Sequence, residues 1–279
     1  MNKKNWIFIF LPILVLTVIA SLVSFLTSDF YFRDSATMAV KSHYLDLINI
    51  SIVVPIGVLM FVLAIRKSHW AKLFILGIMG YLAYMFGFNA LSLYFNELFL
   101  IYVAVFGLSI FGIFFGYGDV QQSGNYLENP IKMRFSGIYL MLFSVVPFVA
   151  WLIEIFSTEK GSVPESISGM NLPVNVVHVF DMAFALPVII IGAILLFRGK
   201  MSGLIISSIS AAFVFLTCIS ILTMELGLQY HNMHFDEGQL YSMYLLTPLG
   251  IFPLITLFRA VAKVSSDGID PGVVAPHDI

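Results

Sequence analysis

The chain has 279 residues, of which 59% are hydrophobic and only 11% are charged. A water-soluble globular protein carries about 25% charged residues, so the composition excludes a soluble domain and indicates an integral membrane protein with the lipid bilayer as its partner. With a formal net charge of −2 and no basic tract, nothing points to nucleic acid. The single cysteine, Cys218, excludes an intrachain disulfide and a metal site built from several cysteines.

Apolar runs long enough to cross a bilayer, about 17 to 25 residues each, occur eight times. The predicted spans are 6–27, 45–65, 71–94, 97–117, 135–157, 175–197, 202–228 and 240–260. We therefore predict an all-α polytopic membrane bundle that forms one domain over residues 1–264, followed by a polar, disordered tail over residues 265–279. The first run follows Lys3 and Lys4 as a signal peptide would, but it is long enough to span and is expected to be retained.

The lysines and arginines predict the orientation. If the N-terminus is cytoplasmic, eleven of them lie on the cytoplasmic side and only Arg33, Lys41 and Lys160 lie outside. This pattern places both termini in the cytoplasm and the protein in the cell membrane as a multi-pass protein. Eleven acidic residues fall at the outer side, so the outer half carries a net charge of −8 and should attract cations. The same distribution also follows if acids merely collect where basic residues are kept away.

The longest predicted cytoplasmic loop, residues 118–134, separates two groups of four spans. No internal sequence repeat is evident across it, and the inverted repeats of many transporters need an odd number of spans in each half. Small residues at helical spacing predict packing seams, which would also suit a homo-oligomer or a membrane partner. The seams contain Gly77, Gly80, Tyr81, Tyr84 and Gly87 in span three, Gly112 and Gly116 in span four, and Gly203, Ser207 and Ala211 in span seven.

Polar and ionisable residues recur near the outer ends of spans two, five, six and seven. A charged group at bilayer depth costs about 2.5 to 3.5 kcal/mol, so such residues normally face a cavity or a partner. We predict a polar cavity between these spans that opens outward and takes a small molecule or a cation. The candidate ligand-binding or proton-coupled residues are His178, Asp181, Glu154, Glu225, Asp46 and Asn49. For the three acids outside span six, the alternative is a place in the lipid headgroup layer.

His178 and Asp181 are three residues apart and share a face of span six, and three interpretations of them stay open. They could form a structural pair that joins span six to a neighbour. They could bind a divalent metal such as zinc, with His178, Asp181, His231 and His234 as the ligands. They could relay a proton or recognise a ligand through a buried carboxylate.

Several chemistries lack their residues. No lysine lies in the middle of a span to hold retinal, and no Gly-x-Ser-x-Gly, P-loop or His-Glu-x-x-His motif occurs. The leading function is therefore non-enzymatic transport or sensing of a small molecule or ion. The alternatives are a zinc-type membrane hydrolase and a structural subunit of a membrane complex.

Two segments carry a resemblance to a known family. Residues 175–187 read NVVHVFDMAFALP, and residues 96–111 read NELFLIYVAVFGLSIF. They resemble uncharacterised bacterial multi-pass membrane proteins with the motif Asn-Pro-x-His-x-x-Asp-x-x-Phe-x-x-Pro. The matching residues are His178, Asp181, Phe184 and Pro187 in the second motif, with Val176 where proline is usual, and Asn96, Phe99, Tyr102 and Phe106 in the first segment. The resemblance implies a bacterial cytoplasmic membrane but no activity, so it identifies no catalytic residue.

Overall fold

Eight long helices make up most of the described chain, which in this computed structural model comprises residues 7–27, 29–121, 130–168, 170 and 172–267. They are α1 Ile7–Leu26, α2 Ala36–Ile65, α3 His69–Ser92, α4 Phe99–Gln121, α5 Pro130–Ser157, α6 Val176–Phe197, α7 Met201–Tyr230 and α8 Glu237–Asp267. A 3₁₀ turn, Glu165–Ile167, lies between α5 and α6, and the described residues contain no strand. All eight helices are long and apolar enough to cross a membrane. The all-helical prediction is confirmed, and the eight apolar helices suggest a multi-pass membrane protein.

Two helices extend well beyond the predicted spans. α2 begins at Ala36 rather than near residue 45, because Ser35 caps it by accepting a hydrogen bond from the Met38 backbone N–H at 3.3 Å. Its first turns are too polar to register as an apolar run. α8 continues to Asp267, and residues 268–279 of the predicted tail lie outside the described residues, as do residues 122–129 of the predicted cytoplasmic loop.

α2 and α6 each contain one π-helical turn, Asn49–Val53 in α2 and Asp181–Ala185 in α6. A proline follows in each case, at Pro55 and Pro187. Since proline has no N–H to donate, the α-helical hydrogen-bond ladder is interrupted there, and the wider turn absorbs the irregularity. The interruption at Pro55 therefore takes the form of a π-helical turn, a feature that often marks functional sites.

The two halves, α1–α4 and α5–α8, repeat one arrangement of helices. In each half the first helix packs against the second and fourth, and the third packs against the same two. The third helices of the two halves, α3 and α7, pack against each other at the centre. The π-helical turns, their prolines and the starts of α3 and α7 are all 132 residues apart (181 from 49, 187 from 55, 201 from 69). Four helices per half keep the same chain direction, so the repeats are parallel rather than inverted.

Glycines permit the closest contacts, as the predicted seams require. A Cβ on Gly77 of α3 would clash with Ala212 and lie 2.9 Å from the Ile209 carbonyl oxygen on α7. Gly203 of α7 lies against the backbone of Leu195 in α6. These glycines allow α7 to pack closely against α3 of the first half and against α6 of its own half.

Candidate functional site

Every predicted site residue lies toward one end of the bundle, which we call the acidic end. It is the end at which the loops joining α1 to α2, α3 to α4, α5 to α6 and α7 to α8 are found. That this end faces the outside of a cell is still a prediction from the charges. The six predicted ligand-binding or proton-coupled residues form three groups. These are the Asp46 cluster (Asp46, Asn49 and their partners), the Asp181 cluster (Asp181 and its partners, with His178 and Glu154), and the Lys41–Glu225 ion pair.

Asp46 is almost completely enclosed by the bundle. It lies ten residues into α2, about 15 Å along the helix axis from its start, and is only 4% exposed. Its Oδ2 atom accepts hydrogen bonds from the Ser24 hydroxyl at 2.6 Å and the Tyr31 hydroxyl at 2.7 Å. Burial raises the pKa of Tyr31, which lies in the loop after α1, so this hydroxyl keeps its proton and donates. Asp46 is therefore enclosed by protein rather than exposed at the surface of the bundle.

Asn49 extends the Asp46 cluster across the bundle. Its side-chain N–H donates to the Ser21 hydroxyl at 3.2 Å, and its Oδ1 accepts from the Tyr81 hydroxyl at 3.3 Å. The Tyr81 oxygen also lies 2.7 Å from the Ser220 oxygen. Side-chain hydrogen bonds thus connect α1, α2, α3 and α7. Beside Asp46 and Tyr31 lies the Tyr102 hydroxyl of α4, which is buried and makes no hydrogen bond of standard geometry among the described residues.

Asp181 occupies the first position of the π-helical turn in α6 and is partly buried. Its Oδ1 accepts a hydrogen bond from the Tyr84 hydroxyl of α3, and its Oδ2 accepts one from the Trp151 indole N–H of α5, both at 2.9 Å. The carboxylate therefore joins one helix of the first half to two helices of the second half.

His178 takes a different partner from Asp181. Its Nε2 lies 3.1 Å from Glu154 Oε2 on α5, and its ring lies against the Trp151 ring with the centroids 4.6 Å apart. Glu154 Oε1 accepts from the Ser166 backbone N–H at 2.8 Å, which secures the loop between α5 and α6. The interpretation of His178 and Asp181 as a pair with each other is wrong, because the polar partner of His178 is Glu154, whereas Asp181 accepts its hydrogen bonds from Tyr84 and Trp151.

Glu225 of α7 is 1% exposed and is neutralised by a cation. The Lys41 Nζ of α2 lies 2.9 Å from its Oε1, and the Asp236 backbone N–H donates to its Oε2 at 3.2 Å. Lys41 and Glu225 therefore form an ion pair between α2 and α7, and this pair is separate from both clusters.

The four predicted metal ligands are not brought together. His178 contacts Glu154, Asp181 contacts Tyr84 and Trp151, and the His231 ring packs against the rings of Tyr44 and Tyr230. Within the residues that the structure describes, no group of three or more His, Cys, Asp or Glu residues is placed to hold a metal ion, and His234 belongs to none. The arrangement gives no support to a zinc site.

A groove of about 580 Å³ lies between α5, the following loop and α6. It is lined by Ile155, Pro164, Pro173, Val174, Asn175, His178, Val179, Met182 and Ala183. Its walls are mostly apolar, and Asp46, Asp181 and Glu225 do not line it. This groove is therefore not the polar cavity between α2, α5, α6 and α7 that the sequence predicts.

Several residues that complete the clusters are not among those that the sequence patterns single out. They are Ser21, Ser24 and Tyr31 around Asp46, Trp151 beside Asp181, and Ser220 beside Tyr81. Ser21 and Ser24 share a face of α1 with Thr17, and this polar stripe in an apolar helix is the signal that could have revealed them. Tyr81 and Tyr84, which the spacing assigns to a packing seam, also serve as hydrogen-bond donors.

Eight apolar helices with ionisable side chains between them are the arrangement expected of a multi-pass membrane protein with internal polar sites. No protein-family model, curated protein or solved structure matches the chain. The function is therefore argued from the two carboxylate clusters.

Proposed function

We propose that this protein is a proton-coupled transporter or sensor of the cell membrane, in which Asp181 takes up and releases the proton. The observation that supports this role is the set of partners around Asp181. Tyr84 and Trp151 are neutral donors, and no Lys, Arg or His of the described chain forms an ion pair with this carboxylate.

The other acids near the helix bundle interior provide a comparison. Glu225 is paired with Lys41, Asp119 with Lys72, and Glu154 with His178. Asp46, like Asp181, accepts hydrogen bonds from neutral donors and makes no ion pair within the described residues. An ionised carboxylate within an apolar helix bundle is costly unless it is paired, and such residues in membrane proteins commonly carry protons or bind ions. Asp181 lies five residues into α6, about 8 Å along its axis, and takes no such partner. A proton is the simplest group that can offset its charge.

The hydrogen-bond partners of Asp181 favour one of its oxygens as the position of the proton. The indole N–H of Trp151 can only donate, so Oδ2 must continue to accept. The Tyr84 hydroxyl can donate or accept. When Oδ1 is protonated, its O–H donates to the Tyr84 oxygen, and the Tyr84 hydrogen rotates away. One proton therefore reverses one hydrogen bond to α3 and leaves the bond to α5 in place.

His178 and Glu154 lie between Asp181 and the acidic end. Since the Trp151 side chain contacts both His178 and Asp181, a change in the charge of one is felt by the other through a shared neighbour. His178 and Glu154 are the titratable pair through which a proton would pass between the acidic end and Asp181. The π-helical turn that begins at Asp181 gives α6 a place to rearrange.

The test follows the proton itself and therefore works whatever the substrate is. Purified protein reconstituted into liposomes is adsorbed on a solid-supported membrane, and the charge displacement after a pH jump is recorded. The wild type should give a transient current that Asp181→Asn abolishes. Glu159→Gln, which changes an exposed acid, serves as the control and should keep the current. An unchanged current in a stably folded Asp181→Asn protein would remove the proposal.

A further inference from the structure

We infer that the Asp46 cluster is a second site, which binds a monovalent metal cation such as sodium. This inference is independent of the proton step proposed at Asp181. The side chains that converge in this cluster offer oxygen atoms as ligands: one carboxylate, one amide oxygen and several hydroxyls. They are supplied by Asp46, Asn49, Ser21, Ser24, Tyr31 and Tyr102.

The two carboxylate clusters differ in the hydrogen-bond donors that surround the carboxylate. Hard cations take oxygen ligands, and a hydroxyl can turn its lone pairs toward a cation when its hydrogen rotates away. Ser24 and Tyr31 now donate to Asp46 Oδ2, and both can turn in this way. Asp181 is bonded to an indole N–H, which has no lone pair to offer. The hydroxyls of the Asp46 cluster can thus turn from donating to the carboxylate to coordinating a metal ion, whereas at Asp181 only the Tyr84 hydroxyl can turn in this way.

The net charge of the cluster favours a cation that carries a single positive charge. Asp46 is its only acid, and it makes no ion pair within the described residues. Lys41, five residues earlier on the same helix, is already engaged by Glu225. One carboxylate with neutral oxygens balances a monovalent cation, whereas calcium sites normally gather several carboxylates. The position inside the bundle makes this balance strict, because a surplus charge there is costly.

Tyr102 provides an independent sign of a ligand. Its hydroxyl belongs to a side chain only 2% exposed and lies beside Asp46, Tyr31 and Asn96, but it makes no hydrogen bond of standard geometry within the described structure. Leaving a buried hydroxyl unpaired costs about 1 to 3 kcal/mol. The Thr17 hydroxyl, one turn from Ser21 on α1, is also buried and unpaired. A cation at Asp46 would use the Tyr102 oxygen directly.

The first experiment measures cation binding to the purified full-length protein. Its thermal unfolding is compared in the chlorides of sodium, potassium, lithium, magnesium and choline at constant ionic strength. Binding of radioactive sodium to the detergent-solubilised protein is measured in parallel. Sodium should raise the unfolding temperature of the wild type relative to choline, as any ligand of the folded state does. Saturable sodium binding should accompany this shift, and Asp46→Asn should lose both. The absence of a sodium effect in the wild type, or stabilisation by magnesium alone, overturns the inference.

Tyr102→Phe keeps the test valid if Asp46→Asn fails to fold. This variant removes only a hydroxyl that makes no hydrogen bond of standard geometry, so the protein in choline chloride should unfold close to the wild-type temperature. Sodium affinity should fall about tenfold, the effect of one lost ligand contact. Ser109→Ala is the matched control, since it deletes another buried, unpaired hydroxyl two turns further along α4. Equal sodium affinity in Tyr102→Phe and wild type would contradict the site.

Discussion

Asn49 and Asp181 occupy the same position in the two halves of the protein. Each is the first residue of a π-helical turn and stands six residues before a proline. Three residues earlier, the first half has Asp46 and the second half has His178. Each half therefore carries one aspartate near its π-helical turn, but at a different register. The shift places one carboxylate among hydroxyls and the other beside an indole, so two equivalent scaffolds hold sites of different chemistry.

Asn49→Asp tests this register directly. The substitution gives the first half a second carboxylate three residues from Asp46 and adds an unpaired negative charge to a buried cluster. We expect it to lower stability in choline chloride by about 2 to 4 kcal/mol, the range for burying an unpaired charge. The two carboxylates should also shift the cation preference toward magnesium or calcium. Thermal unfolding in each salt measures both effects, and wild-type behaviour in every salt would refute the expectation.

Tyr84→Phe should alter the pH dependence of the proton step. The Tyr84 hydroxyl donates to ionised Asp181, and hydrogen bonds to a charged acceptor are about twice as strong as neutral ones. Its loss disfavours the ionised form more than the protonated form, so the midpoint of the pH-jump current should move to higher pH. The same titration of Tyr139→Phe, which removes a hydroxyl bonded to the Leu246 carbonyl, is the control and should show no shift. A midpoint that stays constant or falls would exclude Tyr84 as the responding partner.

Lys41 and Glu225 should act as a structural pair only. Lys41→Met leaves Glu225 buried and without its cation, which should cost about 3 to 5 kcal/mol of stability. The double variant with Glu225→Gln should recover much of this loss, since it removes both charges. Thermal unfolding of the two single variants and the double variant gives the coupling. Loss of the pH-jump current in the folded double variant would show that the pair has a functional role.

Gly77 and Gly80 give a matched test of the contact between the two halves. Ala at 77 would clash with Ala212 of α7, whereas Ala at 80 would have Phe213 Cδ2 as its nearest neighbour at 3.7 Å. Gly77→Ala should destabilise the protein by about 1 to 3 kcal/mol through overpacking. Gly80→Ala should be neutral or slightly stabilising because alanine favours the helix. Similar unfolding temperatures for the two variants would mean that α3 and α7 approach less closely than the structure indicates.

The helices can be predicted from the sequence better than the site, for physical reasons that particular residues illustrate. Bilayer thickness demands long apolar runs, so eight helices can be recognised from hydropathy. The start of α2 escapes this criterion because Lys41, Ser42 and His43 interrupt its apolar run. The partners of Asp181 cannot be predicted in this way, since Tyr84 lies 97 residues away and meets it only through the packing of α3 against α6.

Through Tyr81 and Tyr84, α3 contacts both carboxylate clusters, so cation binding at Asp46 and proton uptake at Asp181 should influence each other. The two residues lie one turn apart, and their hydroxyls bond to Asn49 and Asp181 respectively. A sodium ion at Asp46 adds positive charge near α3, so it should disfavour proton uptake at Asp181 and move the midpoint of the pH-jump current to lower pH. By thermodynamic linkage, protonation must weaken sodium binding by the same factor. Titrating the current at several sodium concentrations, and sodium affinity at several pH values, measures the two factors. Tyr81→Phe removes the hydrogen bond between α3 and Asn49 but changes no charge, so it should leave this electrostatic shift nearly unchanged. A midpoint independent of sodium would show that the two halves act separately.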